Sequence, residues 1–173
     1  MSPPDIKSLV IDVPDFPKPG IVFKDITPVL ADPDAFAAVI DALAARCEGL
    51  AADAVLAIES RGFIFGAPLA ERLRLPLSLV RKRGKLPRAS FSVRYELEYG
   101  FDHLEIHADS IRPGGRYLIV DDVIATGGTA AAVAGLVAEQ GASVAACLFV
   151  IELTFLAGRA KLPGQNVVSL ISY

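Results

Sequence analysis

Short, almost wholly apolar runs alternate with segments of helical spacing, and this restricts the fold more than any other feature of the chain. The runs are Ala54–Ile58, 77–80, 117–120 and 144–151, with Val167–Ser172 as a fifth. Runs so short and apolar read as strands buried on both faces. Asp32-Pro33 opens a helix between them: aspartate caps a free amide, and proline at the first helical position loses nothing. Phe36, Val39, Ile40, Leu43 and Cys47 follow at helical spacing, and Gly49 stops it. Gly62–Leu73 reads as a second helix despite Pro68, and 129–140 as a third, closed by Gly141. The alternation predicts an α/β fold, with a mostly parallel central sheet flanked by helices on both faces. A length of 173 residues fits one domain, 1–173.

Two stretches break the rhythm. Pro14, Pro17, Pro19 and Pro28, with Gly20, make residues 14–30 an extended, turn-rich arm rather than a helix. From 90 to 98, Phe91, Val93, Tyr95 and Leu97 alternate strictly with Ser92, Arg94, Glu96 and Glu98, and Leu104 and Ile106 repeat the pattern after Gly100. That reads as an antiparallel excursion from the sheet and a candidate lid, about 84–101.

Composition narrows the function. The chain is 53% hydrophobic with a formal charge of -3, which disfavours both disorder and a duplex nucleic-acid partner. No segment is apolar over a bilayer-spanning length, and the first residues lack the basic start and apolar run of a signal peptide. Cys47 and Cys147 sit in apolar stretches without metal-ligand neighbours, so they read as reduced core thiols in a cytoplasmic protein. His103 and His107 share a strand face; with no third ligand nearby, they read as an exposed face rather than a metal pair.

The chemistry concentrates in residues 117–129. An apolar strand runs into Asp121 and Asp122, then into Ala125, Thr126, Gly127, Gly128 and Thr129, where a helix begins. Ligands of parallel sheets bind beyond the carboxyl ends of strands. Glycines let the backbone turn tightly, and loop amides with the positive helix end suit a phosphate dianion. Carboxylates beside it accept hydrogen bonds from vicinal hydroxyls, so the pattern fits a sugar phosphate. It is neither a Walker loop, lacking Gly-Lys-Ser/Thr, nor the dinucleotide Gly-x-Gly-x-x-Gly.

This segment resembles the phosphoribosyl pyrophosphate motif of type I phosphoribosyltransferases. The resemblance implies that Asp121 and Asp122 hold the ribose hydroxyls and 125–129 the 5′-phosphate. Three further segments resemble the adenine phosphoribosyltransferase family in particular. Residues 15–26 are similar to its hood over the base, which implies adenine reading by backbone groups near Val22 and Lys24; the family often has arginine at the Lys24 position. Ser60, Arg61 and Gly62 match the loop that meets pyrophosphate. Arg81, Lys82 and Lys85 match its basic run, which in the family can serve a neighbouring subunit and implies a homodimer. Read as residues alone, that run also suits nucleic acid or localisation. Glu98 matches the acid of the flexible loop, which implies a catalytic role near the purine imidazole; by chemistry alone Glu96 is equivalent. Leu153 matches an apolar wall for the base. The resemblance implies conversion of adenine and phosphoribosyl pyrophosphate to AMP and pyrophosphate, with Mg2+ held mainly through substrate oxygens. The alternatives are the same transfer to another base, or a regulator that senses the sugar phosphate without turnover.

Overall fold

The computed structural model describes residues 5–96 and 100–173. It forms two compact units, Met1–Ala42 and Leu43–Tyr173.

In the first unit, α1 (Ile6–Leu9) leads to β1 (Ile11–Pro14) and β2 (Val22–Asp25), followed by α2 (Thr27–Ala31) and most of α3 (Pro33–Ala45). β1 and β2 pair antiparallel, with Ile11 opposite Asp25 and Pro14 opposite Val22. The proline-rich arm is therefore extended, as its prolines require. Its last part departs from the expectation of no helix: Pro28 sits in the first turn of α2, where its missing amide costs nothing. Asp32 caps α3 as expected, its Oδ1 accepting the Asp34 and Ala35 amides at 3.0 Å each. Val39, Ile40 and Leu43 form the buried stripe of α3, with Cys47 buried just beyond it.

The second unit is built on one sheet. Its elements are β3 (Ala54–Ile58), α4 (Gly62–Leu73), β4 (Leu77–Lys82), β5 (Ser90–Glu96), β6 (Phe101–His107), β7 (Arg116–Ile124), α5 (Gly128–Glu139), β8 (Ser143–Glu152) and β9 (Val167–Ser172). Among the described residues the sheet has seven strands, in the order β5-β6-β4-β3-β7-β8-β9. β4, β3, β7, β8 and β9 run parallel.

Strand periodicity assigns the helices to opposite faces. Leu56, Ile58, Ile119, Cys147 and Phe149 share a core with Ala130, Val133, Leu136 and Val137 of α5. The alternate residues face α4, which comes so close that a methyl group on Gly66 would lie 2.5 Å from the Ala57 Cβ. Only glycine permits that approach. Both helices start just after a strand, so the loops leaving β3 and β7 emerge side by side at one edge of the sheet.

Several details differ from the sequence reading. β7 does not stop before the acids but runs through both, pairing Asp121 with Phe149 of β8. β4 is buried only at Val80; Leu77 and Leu79 are 39% and 38% exposed, because α4 lies mainly over β3 and β7. The antiparallel excursion is the β5–β6 hairpin, and it stays attached to the sheet through β6, with Arg81 opposite Glu105. Phe91, Val93 and Tyr95 of β5 pack on the α5-side core. His103 and His107 lie on the other face of β6 from that core, and they are half-buried there rather than exposed. Cys47 and Cys147 are buried free thiols, and burial pushes them up to about 11 and about 12.

Leu56 is fully buried at the centre of β3. Leu56→Ala should lower stability by about 2–5 kcal/mol, read as a shifted denaturation midpoint, because rigid neighbours on both faces cannot close the cavity.

Candidate active site

At the edge where β3 and β7 end lies a cleft of about 350 Å³, walled by residues 59–61, residues 121–130 and Phe149. Asp122 is only 6% exposed, and its backbone amide donates to Asp121 Oδ1 at 2.9 Å. Arg61 Nε donates to Asp122 Oδ2 at 2.5 Å. Burial, and then the neighbouring Asp122 charge, push the Asp121 carboxyl well above the usual carboxylate range; the Arg61 charge opposes this. A neighbouring acid pair supported by one guanidinium can accept hydrogen bonds from vicinal hydroxyls and balance positive charge developing beside it.

The loop after β7 supplies the opposite character. Gly127 takes the left-handed conformation, with φ +76°, and α5 begins at Gly128 without a side-chain cap. Its first amides therefore remain available for an anion, and the helix dipole favours one there. Thr126 is exposed at the cleft and Thr129 half-buried.

The loop is backed by a second layer. A methyl group on Gly127 would lie 2.2 Å from the Gly158 carbonyl oxygen. The Leu153 amide donates to the Ile124 carbonyl at 3.0 Å, tying the 153–158 turns to the end of β7. Those turns are pinned by Arg159, which grips Glu152 through Nε and a terminal nitrogen at 2.6 Å each and donates to the Val167 carbonyl at 2.6 Å. Ser169 Oγ donates to Glu152 Oε2 at 2.5 Å. Arg159 first, and Ser169 with it, hold the Glu152 carboxyl below its ordinary range, although burial opposes them. A glutamate closing an otherwise apolar strand, Glu152, was the available signal in the sequence for this clamp.

The cleft brings together Ser60, Arg61, Asp121, Asp122, Ala125, Thr126, Gly127, Gly128 and Thr129. Gly62 opens α4 directly behind it. Arg81, Lys82 and Lys85 stand outside its wall. Arg81 and Lys85 bind the Glu59 carboxylate, and the Lys82 side chain turns toward β6, 3.2 Å from Asp102. Asp102 thus offers the Lys82 ammonium a nearby carboxylate on β6. Leu153 is half-buried just after β8. Val22 and Lys24 lie on β2 of the first unit, where Lys24 Nζ is 2.6 Å from Asp12 Oδ1. Glu98 lies outside the described residues. Glu59 is the site residue that sequence reasoning missed.

The class follows from this geometry together with similarity to known proteins. Residues 27–164 match the phosphoribosyl transferase domain, and the chain belongs to that family. Among its relatives, the adenine phosphoribosyltransferase of Carboxydothermus hydrogenoformans is 55% identical over 98% of this chain and 99% of its own length. The crystal structure of adenine phosphoribosyltransferase from Thermoanaerobacter pseudethanolicus superposes with a TM-score of 0.95 at 53% identity, covering 98% of each chain. The Saccharomyces cerevisiae enzyme, complexed with an iminoaltritol bisphosphate and adenine, gives 0.90 at 42% identity, covering 96% of each chain.

The Glu152 clamp carries a pH signature. A carboxyl held low in the folded state contributes stability in full above its unfolded value of about 4.3, and loses it as pH falls through the folded value. The stability gap between the wild type and Glu152→Gln should therefore be constant from neutrality to about pH 5 and shrink below about pH 4. Denaturation midpoints measured across that range test this, and a gap that widens on acidification contradicts it.

Proposed function

We infer that this chain transfers the phosphoribosyl group of phosphoribosyl pyrophosphate to adenine, releasing AMP and pyrophosphate, a purine-salvage reaction. The observation that carries the reading is the acid pair and phosphate loop meeting at one cleft, in a chain similar along nearly its full length to adenine phosphoribosyltransferases.

The reaction is a displacement at the anomeric carbon, passing through a cationic, oxocarbenium-like sugar. The amides at the start of α5 and the Thr126 and Thr129 hydroxyls are assigned to the 5′-phosphate, fixing one end of the sugar. Asp121 and Asp122 are assigned to the ribose hydroxyls, which puts negative charge beside the ring as it becomes positive. Ser60, Arg61 and Gly62 are assigned to the departing pyrophosphate. The Arg61–Asp122 contact is consistent with that assignment, because the pyrophosphate leaves from the anomeric carbon and the nearest ribose hydroxyl is on the adjacent carbon. Magnesium fits hard oxygen donors of this kind, and it is assigned chiefly to substrate oxygens, where it would supply charge against the leaving diphosphate.

Adenine recognition is assigned, on resemblance, to backbone groups near Val22 and Lys24 and to Leu153. Glu98 is assigned to the purine imidazole, and 84–101 to a lid that excludes water from the activated sugar. We also assign a homodimer. Ile64, Leu77 and Leu79 are exposed apolar side chains on the α4 side of the sheet, a surface suited to a second copy. No helix among the described residues is long and apolar enough to cross a membrane, and two buried free thiols suit a reducing cytoplasm.

Purified protein with phosphoribosyl pyrophosphate, a divalent cation and single bases should form AMP from adenine and turn over hypoxanthine and guanine poorly. Equal use of oxopurines sinks the base assignment; tight binding without turnover of any base favours a sensor. Asp122→Asn and Thr126→Ala should each weaken use of phosphoribosyl pyrophosphate roughly tenfold to a hundredfold, since the first cancels the charge of an acceptor and the second removes a donor to a charged phosphate, each worth about 1.5–3 kcal/mol. Unfolding in either variant would point to a structural role instead.

Glu98→Gln keeps the size of the side chain but removes proton exchange. A large fall in kcat with little change in KM is expected, while Glu96→Gln stays mild. The reverse pattern moves the catalytic acid to Glu96.

A further inference from the structure

Glu59 follows β3 directly and stands in the wall of the cleft, one residue before Ser60 and two before Arg61. Its side chain is only 9% exposed. A carboxylate so placed repels an anionic ligand unless something on the protein compensates it. Here the compensation comes from one short stretch at the end of β4. Oε2 accepts the Lys82 backbone amide at 2.9 Å and Arg81 Nε at 3.3 Å, while Oε1 is bound by the Lys85 ammonium. Burial raises the Glu59 carboxyl, but these three donors outweigh it and hold the group below its ordinary range.

The arrangement fixes the cations as much as it satisfies the acid. A terminal nitrogen of Arg81 donates to the Lys85 carbonyl at 3.4 Å, and its guanidinium carbon lies 6.0 Å from the centre of the Phe63 ring. Around Gly84 the chain is turned by Lys85 N donating to the Lys82 carbonyl at 3.3 Å and by Gly84 N donating to Glu105 Oε2 at 3.0 Å. Arg81, near the end of β4, and Lys85, just beyond it, are thus drawn onto one carboxylate at the cleft wall.

We propose that Glu59 is a positioning residue. Its carboxylate holds the Arg81 guanidinium and the Lys85 ammonium beside the Ser60–Arg61 turn, so that a diphosphate group entering there meets prearranged positive charge. The proposal rests on the reading that this turn receives the pyrophosphate end of the substrate. Two cations on one carboxylate leave a net positive charge at the wall, so the acid serves anion binding although it is itself an anion. Orienting charges before the ligand arrives also removes the ordering that flexible lysine and arginine side chains otherwise undergo on binding.

Glu59→Gln tests this, because it retains the shape and cancels the charge. In one preparation, KM for phosphoribosyl pyrophosphate, KM for adenine, inhibition by pyrophosphate and the thermal midpoint are measured. KM for phosphoribosyl pyrophosphate and the pyrophosphate inhibition constant should both rise about tenfold or more, with KM for adenine and the midpoint unchanged. Glu59→Asp, which keeps the charge, should recover part of the loss. In a Lys85→Met background, Glu59→Gln should cost less than it does in the wild type, because one of the groups it positions is gone. Unchanged handling of both phosphate ligands overturns the proposal. So does an equal loss toward adenine and phosphoribosyl pyrophosphate with a matching fall in the midpoint, which is the behaviour of a merely structural acid. Should Glu59→Gln fail to fold, Glu59→Asp and Lys85→Met decide: both must raise KM for phosphoribosyl pyrophosphate selectively, and an unaffected KM in either overturns the proposal. A wild-type chain inactive with every base defeats the functional reading itself, an outcome distinct from an active wild type with an indifferent Glu59.

Discussion

Neighbouring carboxylates on a poorly solvated wall need compensating positive charge, and the site is arranged around that requirement. Asp121 and Asp122 stand within β7, just past its last pairing with β3 and still beside β8, where burial removes much of the water that would otherwise screen them. Arg61 answers Asp122 directly. Glu59 adds a third acid to the same wall and brings Arg81 and Lys85 with it. Two of the three acids of the wall are thereby in direct contact with cations, and Asp121 is offset only by the nearby Arg61 charge.

The sheet makes this assembly possible. Parallel strands bring the ends of β3 and β7 to the same edge, and α4 and α5 then leave along opposite faces. The loop leading into α4 contributes Ser60 and Arg61; the loop leading into α5 contributes the cradle of residues 125–129. The two loops come from residues about sixty positions apart, yet they meet because β3 and β7 are hydrogen-bonded neighbours. Behind the cradle, the Glu152–Arg159–Ser169 clamp and the close approach of Gly158 to Gly127 limit how far the loop can relax. A preorganised anion site depends on such backing, since amides that must reorganise around their ligand lose part of their electrostatic advantage.

The sequence by itself determined the elements and the chemical character of the site. Runs of apolar residues too short for helices were legible as strands, though not how deeply each is buried, and Gly62–Leu73 was legible as a helix because its spacing outweighed the single Pro68. Asp121, Asp122 and the glycine-threonine loop were legible because strand, acids, loop and helix are contiguous, so local chemistry sufficed. Tertiary structure alone decided what depends on residues distant in the chain. It carried β7 through both acids, since pairing with β8 continues to Glu152. It joined the β5–β6 hairpin to β4 and half-buried its two histidines. It turned Lys82 toward Asp102 and gathered Arg81 and Lys85 onto Glu59. The partner of a charged side chain is chosen by proximity in space, and for Glu59 that proximity exists only once β3 and β4 lie side by side.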